Sequence, residues 1–451
     1  MMDSHPLGVE PIGRLLIRYS APAIVGQTAI SLYNIISAAF IGHYEGPLAL
    51  TGLAISFPIM NLTLAVGLLL GLGGAAISSI RLGEGRQEDA SRSMGCVLTL
   101  SLICGVTLAA LSVLFLDPLL RLFGASDDAL PYARDYMRIC LLSLPVTYPT
   151  FNLNHVMRAT GYPRKAMMSL LLTVLLNVPL AWLFIAHWRW GMTGAALSST
   201  LSQMGGLVWV MSHFAQRKSL VRFQRGIFRP RPDILYSIVT VGMAPFLLNV
   251  CACCVVAVIN MRLLTYGGDI AVSAYGIINR VLFLMGMVVA GLTQGMQPIV
   301  GYNFGARRMD RVNRTLRLSI TAGTVVTAVG FLVFEIFPWP ISRLFTTDPD
   351  LLQLTVSGMR LSSLAFVIVG SQIVISSFFQ SIGQARMAVF LTTTRQLLFL
   401  IPSLVVLPLF FGLDGVWLSL PLSDTLSEFV TVIMLVYYMK KTPYTHSQDS
   451  V

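Results

Sequence analysis

Apolar stretches long enough to cross a hydrocarbon layer of about 30 Å, which takes roughly 20 helical residues, recur from near residue 15 to near residue 439. Twelve are expected, over 15–40, 52–79, 92–116, 132–157, 165–187, 192–214, 234–263, 270–303, 314–336, 351–380, 387–411 and 415–439. Polar and basic breaks separate them, so the pattern predicts an all-α integral membrane protein. The polar opening Met1 to Glu10 precedes a first apolar stretch too long and too interrupted for the core of a cleaved signal peptide, and that helix is expected to stay.

The pattern also repeats. GLTQGMQPIVGYNFGARRMDRVNRTLR, from Gly291 to Arg317, has a relative about 222 positions earlier in GLGGAAISSIRLGEGRQEDASRS. In both, an apolar helix ends in small residues, passes a short basic turn and gives way to another apolar helix. The same offset places Phe123 on Phe345, Met137 and Arg138 on Met359 and Arg360, Gly161 on Gly383, and Arg164 on Arg386; a one-residue adjustment places Pro22 on Pro245, and Gly191, Gly194 and Ser198 on Gly412, Gly415 and Ser419. Six crossings per half return the chain to its starting side, so the halves share one topology and should be related by an axis along the membrane normal. The expected organisation is an N-terminal six-helix lobe over 1–214, a linker over 215–233, a second six-helix lobe over 234–440 and a polar tail over 441–451, with a binding cleft between the lobes.

Composition fits this reading. Hydrophobic residues make up 55% of the chain and charged residues 11%, against about 25% charged in soluble domains, and the mean hydropathy is +0.74. The net charge of +11 does not indicate nucleic acid, because Lys and Arg gather in alternate connections: Arg81, Arg86 and Arg92; Arg158, Arg164 and Lys165; Arg217 to Arg231; Arg307 to Arg317; Lys440 and Lys441. Positive residues stay on the cytoplasmic side during insertion, so both termini and the linker are expected there. Of the six cysteines, five fall well inside expected helices and Cys96 lies near the start of one, and the CACC run from Cys251 lacks the further ligands of a zinc site. No nucleophile and base motif, phosphate loop or metal cluster is apparent.

The stretches LYNIISAAFIGHY (32–44), LNVPLAWLFIAHWRWGMTGAALSSTLSQ (176–203), YGGDIAVSAYGIINR (266–280), QGMQPIVGYNFGARR (294–308) and RQLLFLIPSLVVLPLFFGLDGVWLSLPLSD (395–424) resemble the multidrug and toxic compound extrusion (MATE) transporters, in particular their MepA- and DinF-like bacterial branch. The resemblance covers nearly the whole chain. It implies two six-helix lobes in a bacterial inner membrane and export of small organic molecules, cationic or amphipathic, by alternating access. It also implies an inward H+ gradient, with Na+ as the alternative, and no other cofactor. The protein is expected to work as a monomer among lipids. Two departures stand out: Ser37 occupies the family's acidic position in the first helix, and Ala181 the one in the fifth. Asn177 matches the family's Asn, and Ser199 its Thr.

An ion-coupled exporter needs a group whose occupancy shifts the balance of two states, and acids inside a membrane are costly and usually functional. The first six helices hold none near mid-depth. Asp424 and Glu428 remain, spaced i, i+4 on one face of the last helix. By depth, Arg280 matches Asp424 and Arg395 matches Glu428, so two buried ion pairs are expected. They either hold the C-terminal lobe together or are broken by a proton or a substrate cation. Gln27, Asn34, Ser37, Asn152, Asn177, Asn260 and Gln297 belong to a set of helix-borne amides and hydroxyls that either join helices or line a polar path. The 21 Met and 24 Phe permit adaptable binding, and Pro22 with Pro245 are bends or hinges. A lipid-linked flippase of the same broader fold, a carrier with altered coupling, and a membrane enzyme or receptor are the competing readings. Low intramembrane Arg content argues against the first, and the lack of a catalytic constellation or sensor domain argues against the last.

Overall fold

The computed structural model describes residues 6–441 apart from 124, 217–218, 225 and 228–230, and leaves the side chains at 34, 38, 39, 47 and 113 undescribed. The expected tail therefore lies outside the description except for Lys441. Among the described residues all secondary structure is helical. The first half contains α1 Pro6–Val9, α2 Ile12–Glu45, α3 Pro47–Gly83, α4 Gln87–Leu122, α5 Leu130–Leu142, α6 Leu144–Ala159, α7 Pro163–Ala181 and α8 Gly191–Ala215. The second contains α9 Pro232–Gly305, α10 Met309–Ile336, α11 Pro338–Arg343, α12 Pro349–Ser363, α13 Phe366–Ser381, α14 Ala385–Thr393 and α15 Ile401–Lys441. Two π-helical turns, Trp182–His187 and Thr394–Leu400, follow α7 and α14.

Among the described residues seven stretches are long and apolar enough to cross a membrane, and an eighth is formed by α12 with α13, bent by 51°. With 74 residues, α9 would run about 110 Å if straight, far more than one bilayer. It breaks at Gly268, where φ is +66°, and the stretch through α15 breaks at Gly412, where φ is +57°. Each break falls between two of the spans expected from the sequence.

The turns repeat as the sequence does. Left-handed backbone at Gly46, Gly85, Gly161 and Gly191 in the first half returns at Gly268, Arg307, Gly383 and Gly412 in the second. Glycine reaches that conformation without steric cost. Arg307, where the first half has Gly85, is the substitution that does not fit this logic.

Packing divides the molecule across the membrane. One buried cluster draws on both lobes near the basic turns and includes Leu15, Met94, Ile238, Met296, Val300 and Phe378. Toward the opposite face the core splits: Ile41, Leu120, Met137 and Ile185 pack within the first lobe, while Ile259, Ile278, Phe334 and Trp417 pack within the second. The lobes are thus joined on the basic side and separately packed on the other.

That junction is made by backbone. A methyl group added to Gly83 would collide with the carbonyl oxygen of Tyr302, and one on Gly305 with that of Ile80. The two contacts are the same contact under the repeat, since Gly83 and Ile80 correspond to Gly305 and Tyr302. Deeper in, Gly73 lies on Ile238 and Gly242 of α9, and its equivalent Gly295 on Ser20 of α2. Small residues let membrane helices approach this closely and gain from dispersion and backbone contact. Replacing Gly83 with Leu should therefore destabilise the joined lobes by about 1–3 kcal/mol, as overpacking does. A lowered thermal midpoint of the purified protein would register this, and an unchanged midpoint would contradict the close packing.

Candidate substrate cavity and coupling site

Above the joined face, α2, α3, α6, α9, α13, α14 and the π-helical turn after α14 line a cavity of about 460 Å³, within the range of small-molecule sites. Leu68, Phe151, Leu248, Phe283, Met287 and Ile373 supply apolar wall, while Gln27, Asn249, Gln294, Gln297, Gln380 and Arg395 bring polar groups into it. Its floor is hydrogen-bonded across the lobes. Gln27 Nε2 donates to Gln294 Oε1 at 3.4 Å, and Gln297 Nε2 donates to the Leu72 carbonyl at 3.1 Å. Pro245 also lines the cavity, whereas Pro22 lies within α2 and outside the cavity wall.

Arg158 completes this floor, although its place among the basic connections suggests an exposed role. It is 5% exposed. Its Nη1 donates to Gln294 Oε1 at 2.5 Å, and its Nη2 lies 2.7 Å from His155 Nδ1. Guanidinium can only donate, so Nδ1 accepts and the imidazole keeps its proton on Nε2. The i, i+3 spacing of His155 and Arg158 is the sequence signal for this shared face.

The second lobe holds the buried acids. Arg395 Nε donates to Asp424 Oδ1 at 2.8 Å, with the Asp424 side chain 10% exposed. Ser371 Oγ donates to Glu428 Oε1 at 2.7 Å, and Glu428 Oε2 has no partner among the described residues. Gln372 Nε2 donates to Ser427 Oγ alongside. The pairing expected from depth is corrected here. Arg395 meets Asp424, not Glu428, because it stands on the π-helical turn Thr394–Leu400, whose wider winding re-aims side chains relative to a straight helix. Arg280 meets neither acid. It is exposed, although Ile277, Ile278 and Val281 beside it on α9 are buried.

The other expected residues fall in different places. Asn152 is fully buried and donates to Ser101 Oγ at 2.7 Å, joining α6 to α4. Asn177 is 1% exposed, with Nδ2 unpartnered. Ser37 and Asn260 are partly buried and line no part of the cavity, and the side chain of Asn34 is outside the described residues. A smaller cavity of about 170 Å³ lies inside the first lobe, lined by Tyr33, Tyr136, Cys140, Ser199 and Gln203 among others, with Tyr33 and Ser199 hydroxyls 2.8 Å apart. No Asp or Glu lines it.

A family model described as MatE matches residues 22–183 and 245–406, once in each lobe. The chain belongs to the MATE family. It is similar to the multidrug export protein MepA of Staphylococcus haemolyticus, 27% identical over 95% of this chain and 94% of that protein, and to MepA of Staphylococcus aureus, 26% identical over 96% and 95%. Among solved structures, the MATE multidrug transporter DinF-BH is 33% identical over 96% of this chain and 97% of its own, with a TM-score of 0.89. An outward-facing MATE structure shares the fold with a TM-score of 0.90 at 23% identity.

Set in the MATE frame, the acids lie in one lobe only. In the register that pairs Gly194 with Gly415, Asp424 answers to Gln203 and Glu428 to Leu207, while Ala181, in the fifth helix, is 1% exposed. Removing one partner of a buried pair leaves an uncompensated charge, which costs about 3–5 kcal/mol. Arg395→Gln should therefore lower stability by that order, and adding Asp424→Asn should recover most of the loss. Thermal unfolding of the single and double variants checks this; equal midpoints would show the pair to be inert.

Proposed function

We propose that this MATE transporter exports small amphipathic organic molecules from the cytoplasm by alternating access, driven by protons that enter through Asp424 and Glu428. The observation that carries this reading is a central cavity sealed on the basic face and bounded by two separately packed half-cores on the other. With the basic face cytoplasmic, as the placement of Lys and Arg favours, this is an outward-facing state of a carrier in the bacterial inner membrane. The monomer works among lipids, binds no nucleic acid, and needs no cofactor beyond the coupling ion.

The coupling assignment follows from where protons can act. Arg395 both lines the cavity and pairs with Asp424, so a proton arriving through the cavity can reach the pair. Protonating Asp424 removes the charge that holds Arg395 and loosens α14 from α15. Glu428, one turn further along, offers an unpartnered oxygen for the same proton. An organic cation at Asp424 would compete with that proton, which is the exclusion an exchanger requires. The first lobe presents no carboxylate at Ser37 or Ala181 to do this work.

In vesicles loaded with an organic dye, an imposed inward proton gradient should drive efflux, and a sodium gradient of equal size should not. Asp424→Asn and Glu428→Gln should each slow proton-driven efflux by about tenfold or more, the loss expected when a differential interaction of about 1.4 kcal/mol or greater disappears. Full proton-driven efflux in both variants would rule out this coupling site.

A further inference from the structure

The segment that enters each lobe is held by the other lobe. Residues 6–10, including α1, lead into the first helix of the N-terminal lobe, yet their carbonyl groups are taken by the second lobe's basic turn. Asn303 Nδ2 donates to the Leu7 oxygen at 3.0 Å, and Arg308 Nη1 to the Gly8 oxygen at 2.7 Å. Arg311 Nη2 donates to the oxygens of Leu7 and Glu10 at 3.1 and 2.7 Å, while its Nε donates to Asn303 Oδ1 at 3.0 Å. Leu7 and Asn303 are both 0% exposed.

The linker repeats the arrangement in reverse. Before it enters the second lobe at Pro232, it lies on the first: Gln87 Nε2 donates to the Leu220 oxygen at 2.5 Å, Val221 and Ile227 are buried, and Arg231 pairs with Asp89 at 3.5 Å. Asp89 and Arg311 are equivalent positions of the repeat. Each lobe thus uses the start of its third long helix to clamp the strap running into its neighbour.

We propose that residues 6–10 form a latch on the basic face, closed by Asn303, Arg308 and Arg311, which must release before that face can open. This rests on the alternating-access reading above. Its hydrogen bonds are made by side-chain donors, two of them positively charged, to backbone oxygens, so they hold the strap without a titrating partner. They sit beside the Gly83–Tyr302 and Gly305–Ile80 contacts that part when the lobes separate. Release therefore sets the rate of opening.

The test places Leu7→Cys in the full chain stripped of its six native cysteines and follows labelling by a membrane-impermeant maleimide applied to the basic face of vesicles. The cysteine should be protected at rest, and should label at least tenfold faster during dye transport. Arg311→Gln should give the same acceleration at rest and raise dye turnover severalfold, with Arg311→Lys intermediate. Arg308→Gln, which removes the Gly8 bond, should show a smaller shift of the same sign, so that a poorly folded Arg311 variant does not leave the latch unexamined. Transport with the cysteine protected throughout, or Arg308 and Arg311 variants with unchanged labelling, would overturn the latch while leaving export intact. Absence of any dye transport would instead overturn the export reading and the latch with it.

Discussion

The structure depends on one steric constraint: two long helices, α3 and α9, meet backbone to backbone on a single half of the membrane. The contact is possible only where side chains are absent, and the repeat supplies glycine on both sides of the symmetry axis, at Gly83 and Gly305, with Gly73 seated as closely on α9 and its equivalent Gly295 on α2. Because the same contact is made twice around one axis, the lobes are held by a pair of equivalent close approaches. Beyond it the buried clusters of the two lobes part company. The cavity is the geometric result of a junction that ends halfway across. A protein joined at one half and divided at the other has a mirror-image alternative in which the halves exchange roles.

Polar groups are distributed as that geometry requires. Along the junction two such groups are satisfied across helices: Ser20 Oγ donates to the Leu292 carbonyl at 3.3 Å, and Gln297 reaches the Leu72 carbonyl. Unpaired polar atoms are expensive in a low-dielectric interior, so those that remain mark places where something else is expected to act. Glu428 Oε2, Gln372 Oε1 and Gln380 Nε2 are such atoms, all in the second lobe near Arg395. In the first lobe Asn152 Oδ1, Asn177 Nδ2 and Gln203 Oε1 are among such atoms, and the cavity that Gln203 lines has no Asp or Glu in its wall. The duplicated halves have kept a common frame, while the facing acids Asp424 and Glu428 stand in the second of them and the buried His155–Arg158 pair in the first.

Much of the frame is legible in the sequence, because a turn that needs left-handed backbone leaves glycine at a fixed offset and a helix junction leaves small residues. The division into two halves, the central cleft and the isolated acids Asp424 and Glu428 follow from such local signals. The partners of those acids do not. Counting depth at a constant rise matches Arg395 to Glu428, and only the π-helical turn after Thr393 explains why Asp424 receives the guanidinium instead. Arg280 shows a second error: matched to Asp424 by depth, it stands exposed and meets neither acid. Arg158 reads as one more positive residue near a membrane boundary, and its reach across to Gln294 requires knowing how α6 and α9 face each other. Depth is a one-dimensional property of sequence, whereas facing direction is fixed by packing between segments far apart in the chain.

Alternation between two half-joined states is the central claim, and distances across both faces test it most directly. Spin labels on Gly85 and Arg307 report the basic face, and labels on Leu48 and Leu264 report the opposite one. Pulsed dipolar measurements on the reconstituted protein, with and without a protonating pH, should find one distance lengthening as the other shortens, because opening one face closes the other. Two distances that stay fixed, or that grow and shrink together, would contradict the account.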